Sequence, residues 1–282
     1  MKKTTSLLLS SIKIAAVVYL LTGLLLYIFQ EKLLFYPAGT DNPALSEIQN
    51  RYQHVKELQI TSNDGKNLHG WVVDNSVENE APAGIIFYFG GNAEEVSHWI
   101  DKVQELENWV VVLTNYRGYG LSEGSPGQKM LFDDALKIFD HFDSDEKYKG
   151  IKKISMGWSL GTGVAVHLAY KREIHGVFLI SPYDSITEIA VKNYPFFPVK
   201  LMIKHPFDSA SKAPKINVPV RIIATSGDRI IPSENSERLA YVWGGDKNIL
   251  IVENYRHNTL ISSSAFKKYF TESFDFFKRV PQ

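Results

Sequence analysis

The run Lys153-Ile154-Ser155-Met156-Gly157-Trp158-Ser159-Leu160-Gly161-Thr162-Gly163 constrains this chain more than any other stretch. A short apolar strand ends in Gly-x-Ser-x-Gly, and a helix begins. Glycines at 157 and 161 flank Ser159 where only small residues let strand and helix approach closely. Such a turn holds Ser159 in a strained backbone conformation, its hydroxyl at the open end of a sheet. The helix that follows points N–H groups and its positive dipole end at the same spot. A serine nucleophile needs those conditions: exposure, a nearby base, and donors for a developing oxyanion.

The rest of the pattern supplies a sheet for this turn. Residues 54–62 and 66–74 alternate around Asn63-Asp64-Gly65 and predict a β-hairpin. Residues 84–89 and 109–113 are unbroken apolar runs, as in strands buried on both faces. The strand before Ser159 follows, then strands at 177–180, 220–224 and 248–252. Helices are predicted over 94–107, 128–142, from Ser159 to about Lys171, 233–242 and 265–277. Residues 128–142 carry Leu131, Ala135, Ile138, Phe139 and Phe142 on one stripe. Strands alternating with helices after a hairpin imply an α/β fold with a mostly parallel sheet and helices on both faces.

In such sheets the site lies beyond the carboxyl ends of the strands, which narrows the partners for Ser159. Asp228 follows the 220–224 strand in Thr225-Ser226-Gly227-Asp228, where it can also act as an Asx turn. His257 follows the last strand and is the only histidine after Asp228. The resulting order, Ser159, Asp228, His257, is that of the nucleophile-elbow hydrolases. His98 is the one rival histidine near the site, and Asp184 is an alternative acid. Gly90-Gly91-Asn92 ends the 84–89 strand. Gly90 and Gly91 there let backbone N–H groups face a pocket, so the oxyanion donors are assigned to the N–H groups of Asn92 and Leu160.

Leu7 to Phe29 is almost wholly apolar. As a helix it spans about 35 Å, enough for a hydrocarbon core of roughly 30 Å. Lys13 is its one charge and lies where it can snorkel to headgroups. Lys2 and Lys3 precede the run, while Glu31 and Lys32 cancel after it, which places the N-terminus in the cytoplasm and the rest of the chain on the extracytoplasmic, periplasmic side. The run is too long for a usual signal peptide, and no small-x-small cleavage site follows it. Residues 1–30 are therefore read as a signal anchor, with 7–29 in the lipid bilayer, 31–53 as a juxtamembrane linker, and 54–282 as one catalytic domain. Leu33 to Tyr36 fit either the membrane interface or the underside of the domain.

Composition narrows the function further. Lys plus Arg and Asp plus Glu are both 31, so nothing electrostatic points to a nucleic-acid partner. The chain has no cysteine, which removes disulfides, thiolate metal sites and a cysteine nucleophile. Gly157, Gly161 and Gly163 have the wrong spacing for a dinucleotide fingerprint, and there is no P-loop.

The sequence resembles the membrane-anchored α/β-hydrolase-domain serine hydrolases. The matching pieces are the anchor with Phe29-Gln30-Glu31-Lys32-Leu33-Leu34-Phe35-Tyr36-Pro37; Phe89-Gly90-Gly91-Asn92-Ala93-Glu94; Asn115-Tyr116-Arg117-Gly118-Tyr119-Gly120-x-Ser122-x-Gly124; the Ser159 turn; Ser181-Pro182-Tyr183-Asp184-Ser185; Gly227-Asp228-x-x-Ile231-Pro232; and His257-Asn258. Many relatives have His-Gly-Asn where this chain has Gly90-Gly91-Asn92. The resemblance implies an α/β-hydrolase fold and a Ser159–His257–Asp228 triad acting on ester, thioester or related acyl substrates, with no metal or organic cofactor. A peptidase or amidase, and a catalytically silent binding module, are the alternatives on the same fold. An aromatic, proline-rich insertion at 182–215 is expected to form a small cap, with Tyr194, Phe196, Phe197, Leu201 and Met202 as an acyl pocket.

Overall fold

The computed structural model describes residues 2–39 and 42–281. Helix α1 (Lys2–Leu34) leads into a short irregular segment that ends where Gly39 bridges Gly120, and α2 (Asn42–Arg51) precedes the sheet. The hairpin forms as the alternation predicts, β1 (Val55–Thr61) and β2 (Asn67–Asp74) pairing antiparallel around Gly65 at φ 78°. Then come β3 (Gly84–Phe89), a 3₁₀ turn (Val96–Trp99) with the single-turn helix α3 (Ile100–Val103), β4 (Trp109–Thr114), α4 (Gln128–Asp143), β5 (Lys152–Trp158) and α5 (Leu160–Lys171). The second half holds β6 (Gly176–Ile180), α6 (Ile186–Asn193), α7 (Val199–Met202), β7 (Val220–Thr225), α8 (Ser233–Val242), β8 (Lys247–Val252) and α9 (Ser264–Arg279).

The eight strands form one sheet in the order β1-β2-β4-β3-β5-β6-β7-β8. β2 meets β4 antiparallel, and every pair from β4 to β8 is parallel. Every residue of β3, β4 and β6 is buried, which explains their unbroken apolar character. One face packs Phe87, Val112, Leu179 and Ile222 against α4, α5 and α8; the other packs Met156, Phe178 and Ile223 against Trp99 and the Phe266, Phe270, Phe274, Phe277 stripe of α9.

Three local expectations change. The predicted helix over 94–107 is broken into the 3₁₀ turn and α3, because Glu94 turns inward and the Glu95 side chain caps Ser97 N–H, delaying helix entry. The apolar helix runs on to Leu34, and the expected linker contains α2. Of the segment left open between membrane interface and domain, Phe35 is buried beside His205 and Phe207, whereas Leu33 and Tyr36 stay about half exposed.

Candidate active site

Ser159 sits between β5 and α5 at φ 50° and ψ −117°, outside the regions ordinary residues occupy. The sequence forces this. A Cβ on Gly157 would lie 2.5 Å from the Gly161 carbonyl oxygen, and one on Gly161 would lie 2.0 Å from that of Phe89. Strand and helix thus touch backbone to backbone, and the turn between them has no room to relax. Its amide donates to Ile180 O at 2.9 Å, while the Thr162 amide and hydroxyl both donate to its carbonyl, at 3.0 and 2.7 Å.

The side chains beyond the strand ends converge on it. His257 Nε2 lies 2.9 Å from Ser159 Oγ, and His257 Nδ1 lies 2.6 Å from Asp228 Oδ2. Asp228 follows β7 in a turn where a Cβ on Gly227 would strike Tyr255 O at 2.3 Å. Its other oxygen accepts the amides of Ile230 and Ile231 at 2.8 and 2.9 Å, which fixes the carboxylate's direction. The Trp158 ring stacks against His257, centroids 6.2 Å apart, and all three polar side chains are buried. A buried imidazole between a hydroxyl and a carboxylate can accept the hydroxyl proton on one nitrogen while the carboxylate holds the other in its N–H form.

The loop after β3 faces the same point. Asn92 and Leu160 line one cavity with Ser159. The Leu160 amide belongs to the first turn of α5 and has no intrahelical acceptor. The Gly91 amide is taken: it donates to Glu94 Oε2 at 2.5 Å. Glu94 also accepts Tyr88 Oη at 2.9 Å and the Trp99 indole N–H. Burial pushes its carboxyl up to about 7 despite these three donors. Glu94 appears in the sequence only as the last residue of the Phe89–Glu94 match; its role in folding the loop from within has no periodic signal.

The Asp184 carboxylate has other partners: it accepts Arg238 Nε at 2.6 Å and the Ser185 amide at 2.9 Å, while His257 Nδ1 meets Asp228. His98 lies on the 3₁₀ turn and does not line the cavity.

The cavity above Ser159 measures about 510 Å³. From the insertion, Tyr194, Phe197 and Met202 line it, as does Ile189 of α6. Phe196 and Leu201 do not: they are 84% and 89% exposed and outside the lining. The opposite wall has no local signal in the sequence. It is α1 itself, through Leu26, Tyr27, Gln30, Leu33 and Leu34. Asn92 ties this wall to the loop: its Nδ2 donates to Leu34 O at 2.7 Å, and its Oδ1 accepts Tyr36 N at 2.9 Å.

Sheet order, strand–turn–helix junction and the polar chain past the strand ends define an α/β-hydrolase fold. The family described as alpha/beta hydrolase fold matches residues 85–210. Among curated relatives, an uncharacterized protein of Mycobacterium tuberculosis is 27% identical over 249 residues, covering 87% of each chain. The alpha/beta hydrolase domain-containing protein WAV2 of Arabidopsis thaliana is 27% identical over 232 residues, 74% of this chain and 73% of its own. An uncharacterized membrane protein of Saccharomyces cerevisiae is 27% identical over 187 residues, 64% of each chain. Among solved structures, an esterase of Pyrococcus furiosus superposes with a TM-score of 0.67 at 17% identity, over 88% of this chain and 99% of that one.

Proposed function

We propose that this protein is a membrane-tethered serine hydrolase that cleaves carboxylic esters, thioesters or related acyl compounds. The observation that carries the reading is the Ser159–His257–Asp228 hydrogen-bonded chain, 2.9 and 2.6 Å, at a strained turn under a cavity. In the first step His257 takes the Ser159 proton as Oγ attacks the acyl carbonyl, and the oxyanion draws on the Asn92 and Leu160 N–H groups and the α5 dipole. The leaving alcohol or thiol takes its proton from His257. Water, activated by His257, then releases the acid and restores Ser159. Asp228 orients the imidazole and stabilises its cation.

The tether is α1. Residues 7–34 have the length and hydropathy to cross a bilayer, and only 6% of the apolar window is buried in the protein. The basic N-terminus favours a cytoplasmic start and an extracytoplasmic catalytic domain.

The test is labelling of the full-length protein with a fluorophosphonate probe. Labelling of wild type, lost in Ser159→Ala and strongly slowed in His257→Ala, supports the reading. A folded wild type that takes no label overturns it and leaves the binding-module alternative.

A further inference from the structure

The wall of the cavity is a helix apolar enough to lie in lipid, and the cap runs alongside it. Gln30 Nε2 donates to Met202 O at 3.1 Å, and Lys204 N donates to Gln30 Oε1 at 2.7 Å. Above them Lys204 Nζ sits 4.7 Å over the Tyr27 ring. Higher still, the Gly23 backbone comes up against the Phe197 ring, close enough that a Cβ there would touch it at 3.4 Å. At the tip Tyr19 stacks on Phe197, centroids 4.9 Å apart and 4° from parallel, and its hydroxyl donates to Phe196 O at 2.7 Å. About 16 Å of helix axis separates Tyr19 from Gln30, roughly half of a ~30 Å hydrocarbon core.

The depth of the cap is therefore fixed by the depth of α1. With residues 7–29 in the bilayer, Phe196 and Leu201 reach the hydrocarbon of one leaflet. That accounts for their exposure, which is costly for large apolar side chains in water and costs nothing in lipid. The cavity between α1 and the cap starts at Ser159 and rises past Leu33 to Leu26 and Tyr27, which are themselves part of the apolar run.

We propose that α1 and the cap form one bilayer-embedded cradle, and that the substrate is a long-chain acyl ester already dissolved in the leaflet. Its chain lies between α1 and the cap, and its ester carbonyl reaches Ser159 at the headgroup level. The net reaction is ester plus water giving fatty acid plus alcohol. This rests on the serine-hydrolase reading and adds the source of the substrate and its path.

The absence of cysteine makes the test direct. Full-length protein carrying Phe196→Cys, labelled with nitrobenzoxadiazole and reconstituted in phosphatidylcholine vesicles, is compared with Tyr241→Cys, whose native side chain is 83% exposed on α8. Quenching by mid-chain-brominated phosphatidylcholine at 196 and not at 241 is expected; equal, weak quenching at both overturns the embedded cradle. Hydrolysis is then followed on p-nitrophenyl palmitate carried in vesicles and p-nitrophenyl acetate in water. The double variant Phe196→Asp, Leu201→Asp should lose about 10-fold or more on the vesicle-borne ester, since carboxylates resist hydrocarbon, with far less change on the acetate. Equal loss on both, or none on either, overturns lateral entry. Wild type that hydrolyses acetate but not vesicle-borne palmitate also overturns it while leaving the serine-hydrolase reading intact. Wild type inert to both esters and to the fluorophosphonate sinks that reading itself, whatever the quenching result.

Discussion

The two ends of the cavity are held in different ways. At its floor Ser159, Asp228 and His257 stand on strand ends where backbone touches backbone, and each has at least two fixed partners. At its top the cap meets α1 through one ring stack, a few hydrogen bonds and a cation over a ring. Neither α6 nor α7 contains a fully buried residue. Chemistry needs sub-ångström placement, which only an over-determined backbone supplies. Admitting a flexible chain needs walls that part at little cost, and elements with few buried contacts open first.

Breaking the floor should have the largest effect. Asp228→Asn keeps an oxygen for the Ile230 and Ile231 amides but turns an N–H group toward His257, favouring the wrong tautomer. The second-order rate of fluorophosphonate labelling should fall about 10⁴-fold, while thermal stability changes little. Undiminished labelling would mean that His257 is oriented by something other than this carboxylate.

Next comes a scaffold contact behind the floor. In the Asn115–Gly124 loop the buried Arg117 guanidinium bonds to Asp134 on α4 through Nε at 2.8 Å and to Asp64 of the hairpin turn at 2.8 Å. The guanidinium holds the Asp64 carboxyl well below the usual carboxylate range. Arg117→Met leaves Asp134 buried without its cation and should cost about 3–5 kcal/mol of unfolding free energy. Denaturant titration checks this. The labelling rate of the protein that remains folded should stay near wild type, separating fold from chemistry.

Glu94 gives the floor a pH dependence. Its carboxyl is raised to about 7 in the fold, against 4.5 when unfolded. The folded state therefore keeps this proton after the unfolded state has lost it. Stability from this group is complete below pH 4.5 and declines as pH rises through 7, by about 3 kcal/mol in all. Glu94→Gln has no proton to lose, so the fall in denaturation midpoint between pH 5 and pH 8 should shrink. An unchanged slope would assign the titration elsewhere.

The same division decides what could be read from the sequence. Ser159, Asp228 and His257 stood out in the sequence because each lies just past a strand, and strand patterns and turn residues such as Gly157 and Gly161 are local signals. The sheet was legible for the same reason: β3, β4 and β6 are unbroken apolar runs. The break in the 94–107 helix was not, because it depends on Glu94 finding three donors that come from β3, the loop and the 3₁₀ turn. The α1 wall was hidden more deeply still. Leu26 and Tyr27 read as lipid-facing residues, and nothing local says that Phe197, some 170 positions later, returns to lie beside Tyr19. Phe196 and Phe197 are neighbours with the same composition signal, yet only one lines the cavity.

The smallest effect belongs to the top of the cavity, and it sharpens the contrast most. Tyr19→Phe removes one hydroxyl, the donor to Phe196 O, and keeps the ring stack on Phe197. Hydrogen bonds of this kind are worth about 1 kcal/mol in water and average about 0.6 kcal/mol between helices in bilayers. Global stability and fluorophosphonate labelling should therefore stay near wild type. Amide exchange in residues 194–202 should accelerate a few-fold, because a segment without buried anchors opens by local fluctuation and loses whatever holds it shut. If the exchange of 194–202 does not change, the cap is held by its packing on Ile186 and Ile189 and not by α1, and the two ends of the cavity are less different than their contacts imply. If labelling slows as well, the Asn92 link between Leu34 and the loop after β3 carries movement of α1 down to the floor.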